Sequence, residues 1–361
     1  MISIGIAGTA KNTGKTTALQ SLLKESERSE LICGITSIGY DGEWKDNITG
    51  LPKPRIHVQE GLLVAVASRC LAASSCRIRV LKTTGIQTAL GEVMIGEVME
   101  PGLLITAGPN KTQDLVKLQL NMVEFGCEML FIDEALNRII PLSVSDGLIL
   151  STGAALQQDI EKLAQHTQMF SKILTYNYKV GKIGDPEEKQ VYIQSKSGKF
   201  YYLNFKSLLD EHQTASIVAA VEEKTVAIGI PGAIETVALT VLIDKLVQTN
   251  KITEIRLASS LQLIPGGNLE QIHHVLTTWS KAGGSWRIGK QVSLLAVTVN
   301  PFYPAVRLSG YQKALVDQVR LLESIRNAVD VPVVDIIKDG SANLWKTLVG
   351  MTDLKRGDQH G

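Results

Sequence analysis

Residues 8–17, Gly8-Thr9-Ala10-Lys11-Asn12-Thr13-Gly14-Lys15-Thr16-Thr17, decide how the rest of the chain is read. An apolar run, Ile2 to Ala7, precedes them, and an amphipathic run, Ala18 to Lys24, follows. Strand, glycine-bearing turn and helix, in that order, is the context in which Gly-Lys-Thr means phosphate binding. Backbone N–H groups of such a turn and of the helix start point at an anion. Lys15 adds a positive charge for the outer phosphates, and Thr16 a hydroxyl for Mg²⁺. The usual spacing, G-x-x-x-x-G-K-[ST], puts the first glycine at Thr9, whereas this chain has Gly8. A loop one residue longer is expected, because a β-branched residue suits φ > 0 poorly. All ten residues are candidate nucleotide contacts.

Composition narrows the class. A chain of 361 residues with 44% apolar content can bury the cores of two domains or of one enlarged α/β unit. Thirty-seven Lys and Arg against 36 Asp and Glu give no electrostatic case for a nucleic-acid or membrane partner. No apolar run approaches the roughly 18 residues of a membrane span. The N-terminus lacks a basic region followed by a cleavable apolar segment. Cys33, Cys70, Cys76 and Cys127 show no CxxC spacing and are read as reduced core thiols, so a cytoplasmic protein is expected.

Two further stretches join the first. Leu31 to Ile38 reads as a strand ending in Thr36-Ser37-Ile38-Gly39-Tyr40-Asp41-Gly42-Glu43. Its Gly-x-Asp-Gly is a turn, and Asp41 is a candidate catalytic and Mg²⁺ carboxylate, with Thr36 and Ser37 weaker candidates. Glu128 to Glu134 is an apolar strand closing in two carboxylates, the form of a Walker B segment. Asp133 would hold the Mg²⁺ shell and Glu134 would polarise an attacking water. With Lys15 and Asp41, Glu134 completes the candidate catalytic set; Thr16, Asp41 and Asp133 form the metal set. Asn110-Lys111 approaches a guanine-reading motif, but Asp114 comes one place late. ATP is therefore the expected nucleotide, with GTP kept as an alternative.

Strands and helices alternate to about residue 175, as parallel βαβ units do. Within that span Glu60 to Ala73 reads as a buried helix, and Thr83 to Thr88 as a loop that could take substrate. Gly91 to Glu100 reads as irregular and β-rich. Residues 176–222 read as a hairpin insertion, with Val191-Tyr192-Ile193 and Tyr201-Tyr202-Leu203 flanking a Gly198 tip. Residues 223–361 read as a second α/β region, with Pro301-Phe302-Tyr303-Pro304 as a rigid loop and Gln312 to Ala328 as a helix. The expected fold is an α/β phosphate-loop NTPase: a mostly parallel sheet flanked by helices, a hairpin insertion and a further α/β region.

A Gly-Lys-Thr-Thr loop this close to the N-terminus resembles the class of dethiobiotin synthetase, the MinD-like ATPases and metal- or cobalamin-enzyme chaperones. Lys11 stands four residues before Lys15, where that class's signature lysine stands five before. More specifically, residues 8–17, 36–43 and 132–138 resemble the nucleotide-binding reactivating-factor subunit of adenosylcobalamin-dependent lysine 5,6-aminomutase. Glu134 departs from that family's pattern, in which a small residue follows the Asp. The resemblance implies an ATP-dependent chaperone whose partners are a cobalamin-dependent aminomutase and a second reactivase subunit, with homo-oligomerisation open. Two other readings stand beside it: a small-molecule ligase or kinase of the dethiobiotin-synthetase type, and a non-catalytic nucleotide-binding module.

Overall fold

In the computed structural model, which describes residues 1–40, 56–135, 138–184, 189–307 and 310–357, strand β1 (Ile2–Gly8) is buried along its length. Helix α1 (Lys15–Ser26) lays Ala18, Leu19, Leu22 and Leu23 inward, the three- and four-residue spacing that stacks on one helix face. β2 (Cys33–Ser37) and the short β3 (Gly39–Tyr40) follow. Asp41 lies outside the described residues.

The next elements are β4 (Ile56–Val58), β5 (Leu63–Ala67), α2 (Ser68–Ala73), β6 (Arg77–Thr88) and β7 (Gly91–Glu100). The helix expected over Glu60 to Ala73 is thus a strand followed by a short helix. Leu63 to Ala67 are all buried, and a strand covered on both faces has no alternation to separate it from a buried helix. The loop expected at Thr83 to Thr88 is the end of an edge strand, with Thr83 and Gln87 facing solvent, Thr84 and Ile86 buried, and its register irregular. Gly91 to Glu100, expected to be irregular and β-rich, is a continuous strand that pairs antiparallel with it through the same register shifts. Then come β8 (Gly102–Leu104), β9 (Ala107–Gly108), α3 (Thr112–Glu124), β10 (Met129–Ala135), β11 (Gly147–Gly153) and α4 (Ile160–Leu174).

A second run comprises β12 (Lys179–Val180), the hairpin β13 (Tyr192–Ser195) and β14 (Phe200–Tyr202), α5 (Glu211–Ala220) and β15 (Thr225–Ile230), then α6 (Thr236–Gln248), β16 (Glu254–Leu257), α7 (Leu269–Lys281) and β17 (Ser285–Ile288). The chain closes with β18 (Ser293–Asn300), β19 (Phe302–Arg307), β20 (Gly310–Leu315), α8 (Gln318–Ala328), β21 (Val333–Val334), α9 (Ile336–Asp339) and α10 (Ala342–Gly357). Pro301 to Pro304 is therefore mostly strand, and the helix expected from Gln312 starts only at Gln318. There Asp317 caps it by accepting the Arg320 N–H.

The fold is mixed α/β and divides into two compact units, Met1–Gln165 with Leu294–Gly361, and His166–Ser293. The region read as 223–361 is accordingly shared: β15 to β17 belong to the second unit and β18 to β21 to the first. Among the described residues the first unit's large sheet runs β21-β18-β11-β1-β10-β2-β5-β7-β6. β11, β1, β10, β2 and β5 pair in parallel, and β7 and β6 close that edge antiparallel. Ile2, Ile4 and Ile6 of β1, Phe131 of β10, Leu19 and Leu22 of α1, and Trp345 and Leu348 of α10 share one core. The last sixty-odd residues therefore complete the first unit's core. The second unit has its own sheet, β12-β17-β16-β15-β13-β14. In it the expected hairpin forms the antiparallel edge of an otherwise parallel arrangement.

Candidate phosphate-binding site

Parallel pairing aligns the carboxyl ends of β11, β1, β10 and β2, and loops gather there. Open α/β sheets bind ligands outside these ends. Residues 9–14 connect β1 to α1. Gly14 takes φ 90°, and Asn12 takes φ 65°, a conformation that glycine adopts freely and asparagine tolerates. Thr9 is outside the positive-φ set. Gly8 is needed for closeness instead: a Cβ there would stand 3.1 Å from Thr13 Oγ1 and 3.3 Å from Lys15 Cβ. The turn thus folds back over Gly8 and is tied by Thr13 Oγ1 donating to the Ala10 carbonyl at 2.9 Å.

Helix α1 starts directly at Lys15 with no side-chain cap and no acidic residue in its first turn. Its first N–H groups and the positive end of its dipole therefore favour an anion. Lys15 Nζ donates to Asp133 Oδ2 at 3.0 Å, with the two side chains only 14% and 5% exposed. The pairing follows from register. β10 lies beside β1, with Asp133 opposite Ile6, and beside β2, with Asp133 opposite Ser37. Asp133 thus shares the sheet face on which α1 packs.

Glu134 is the next residue of the same strand and points to the opposite face. Its side chain is wholly buried and accepts from Arg138 Nε at 3.0 Å. Arg138 also crosses Gly39, where a Cβ would stand 2.7 Å from Nη1. Glu134, expected to polarise water, is thus held in a salt bridge with Arg138 on the face away from Lys15. Thr36 Oγ1 donates to the Ala65 carbonyl and Ser37 Oγ to that of Gly39, so both serve the local backbone. Lys11 is exposed, and Thr16 and Thr17 are half-buried in the first turn of α1.

The sequence reading missed a second side of the site. Thr9 Oγ1 donates to Thr152 Oγ1 at 3.2 Å, and Thr9 N to the Ser151 carbonyl at 2.9 Å, fastening the loop to the end of β11. Asn300, the last residue of β18, donates from Nδ2 to the Asn12 carbonyl at 2.8 Å. Its Cβ would lie 3.3 Å from a Cβ on Gly14, and its own carbonyl accepts from Ala154 N. The available signal was a polar residue closing an apolar strand, at a separation of 288 residues from Asn12.

Other features lie elsewhere. A cleft of about 580 Å³ lined by Ser29, Glu30, Leu31, Ile32, Gly126, Glu128 and Val349 opens at the amino ends of β2 and β10, away from the loop. Among the described residues no group of three or more His, Cys, Asp or Glu could hold a metal by itself, and no helix is long and apolar enough to cross a membrane. Compared with known proteins, the chain matches no family model, and neither a curated protein nor a solved structure matches it.

Proposed function

We propose that the chain is a phosphate-loop NTPase that binds Mg-ATP at residues 8–17 and acts as a nucleotide-dependent reactivating factor for a cobalamin-dependent aminomutase. The observation that carries the nucleotide site is the Lys15–Asp133 pair at the mouth of the uncapped helix α1. A lysine and an aspartate shielded from water cost desolvation that their mutual attraction only partly offsets. The arrangement suits a site whose cation and carboxylate each take a ligand partner. Lys15, Thr16 and the backbone amides of the turn would hold the phosphates. Thr16 and Asp133 would hold Mg²⁺, which commonly shares its shell with phosphate and water and does not require an all-protein cage. Magnesium there supplies charge neutralisation for phosphoryl transfer. The client is inferred from the resemblance of residues 8–17, 36–43 and 132–138 alone. The ligase reading loses its substrate loop, because Thr83 to Thr88 lies within an edge strand.

Calorimetric titration of ATP with Mg²⁺ tests the site. Lys15→Ala should abolish binding while the circular dichroism spectrum stays unchanged; unaltered affinity would remove the assignment. ATP turnover stimulated by an inactivated aminomutase, and not by small metabolites, is the result expected of a reactivating factor.

A further inference from the structure

Helix α3 is apolar on two faces. Leu115, Leu118 and Met122 are buried against the first unit. On the outside Val116, Leu120 and Val123 are 40%, 66% and 50% exposed. Steps of four and then three residues place these three in one line, the alternation of a helix–helix seam. Lys117 and Glu124, both exposed, lie two turns apart along one flank of that line. We propose that this face is the interface of a homodimer, with α3 packed antiparallel against its copy across a two-fold axis at Leu120.

Charge decides both the partner and the direction. A two-fold axis perpendicular to the helices brings residues equally far before and after Leu120 level with one another and keeps each flank facing its own copy. Lys117 is three residues before the axis and Glu124 four after, so they meet within one residue's rise of about 1.5 Å. Two symmetric Lys–Glu pairs result. In a parallel pair the two-fold axis would run along the helices and carry this flank to the opposite side of the dimer, so Lys117 and Glu124 would face neither of their copies and the pairs would be lost. Glu124 also accepts from Lys82 and retains 55% exposure. Three apolar side chains form a small core beside the roughly 1,600 Å² of a standard interface, so the dimer is weak and concentration-dependent.

Sedimentation velocity of the full chain over about 1–200 µM, a range suited to a sub-standard interface, is the test. The wild type should shift from monomer toward dimer. Leu120→Glu should remain monomeric throughout with an unchanged circular dichroism spectrum, since the replaced side chain lies largely in water. Lys117→Glu should weaken association about fivefold, the scale of a rim charge pair, and Lys117→Glu combined with Glu124→Lys should restore it. A wild type that stays monomeric, or a dimer indifferent to Leu120→Glu, overturns the interface. Failure of the double reversal to restore association overturns the antiparallel arrangement.

Discussion

Strand alternation sends Asp133 and Glu134 to opposite faces of the sheet, so two adjacent carboxylates cannot be assigned one task from their adjacency. Asp133 meets Lys15 on the α1 side, whereas Glu134 orients Arg138 on the other. Their substitutions should therefore separate. Asp133→Asn should lower the Mg²⁺ dependence of ATP binding more than the affinity itself, because it removes charge from the side chain proposed to share the metal's shell. Glu134→Gln should leave the Mg²⁺ dependence intact and cost about 1–3 kcal/mol of stability, the penalty for weakening a buried charge-assisted hydrogen bond. ATP titrations at graded Mg²⁺, with urea denaturation of each variant, make the comparison. A Mg²⁺ response lost in Glu134→Gln and retained in Asp133→Asn would reverse the two roles.

At the level of elements, the loop between β1 and α1 is held from both sides, by β11 through Thr9 and by β18 through Asn300. The Asn300 amide holds the Asn12 carbonyl while its stem packs against Gly14, so it fixes the two left-handed residues of the turn together. Asn300→Ala keeps the stem and removes the amide. It should cost about 1 kcal/mol, or roughly fivefold in ATP affinity, with little change in global stability. Equal affinity in calorimetry would show that the turn holds its shape unaided. The loop itself was legible because strand, turn and helix are consecutive in the chain and each residue's task is local. Asn300 was not, since a single hydrogen bond across 288 residues leaves no periodicity. The same physics explains the misread elements: Leu63 to Ala67 are buried on both faces and lack alternation, whereas Thr83, Gly85 and Gln87 face outward on an edge strand whose buried face carries only Thr84 and Ile86. Polar edge residues discourage unwanted pairing and mimic a loop's composition.

For the whole molecule, alternation of strands and helices conveyed the class but not the grouping, because 166–293 is inserted between two parts of one sheet. β18 returns to lie beside β11, and nothing local to β18 distinguishes it from the strands just before it. The second unit carries its own core: Trp279 and Trp286 are fully buried, and their indole N–H groups donate to the Ser285 and Leu276 carbonyls. A fragment spanning 159–292, which retains all of α4 and its Asp159 start, should therefore fold alone. Its only tryptophans are those two, so blue-shifted emission and a single sigmoidal urea transition would report an intact core; unfolded-type emission would show dependence on the first unit. The fragment also has a defined acid sensitivity. Glu254 and Arg256 alternate with buried Ile255 and Leu257 on β16, and Glu254 accepts from Arg256 Nε and Arg287 Nε at 2.8 Å each. Burial alone would raise the Glu254 carboxyl, but the hydrogen bonds from Arg287 and Arg256 bring it down to about 2 from an ordinary 4.5. A carboxyl depressed in the folded state contributes stability that is complete above its unfolded value and is lost as the proton binds the native form. Fragment stability should thus fall as pH drops from about 4.5 toward 2. Glu254→Gln should be less stable at neutral pH and show a flatter profile across that window. A wild-type profile already flat there would mean that the two guanidinium contacts contribute nothing to folding.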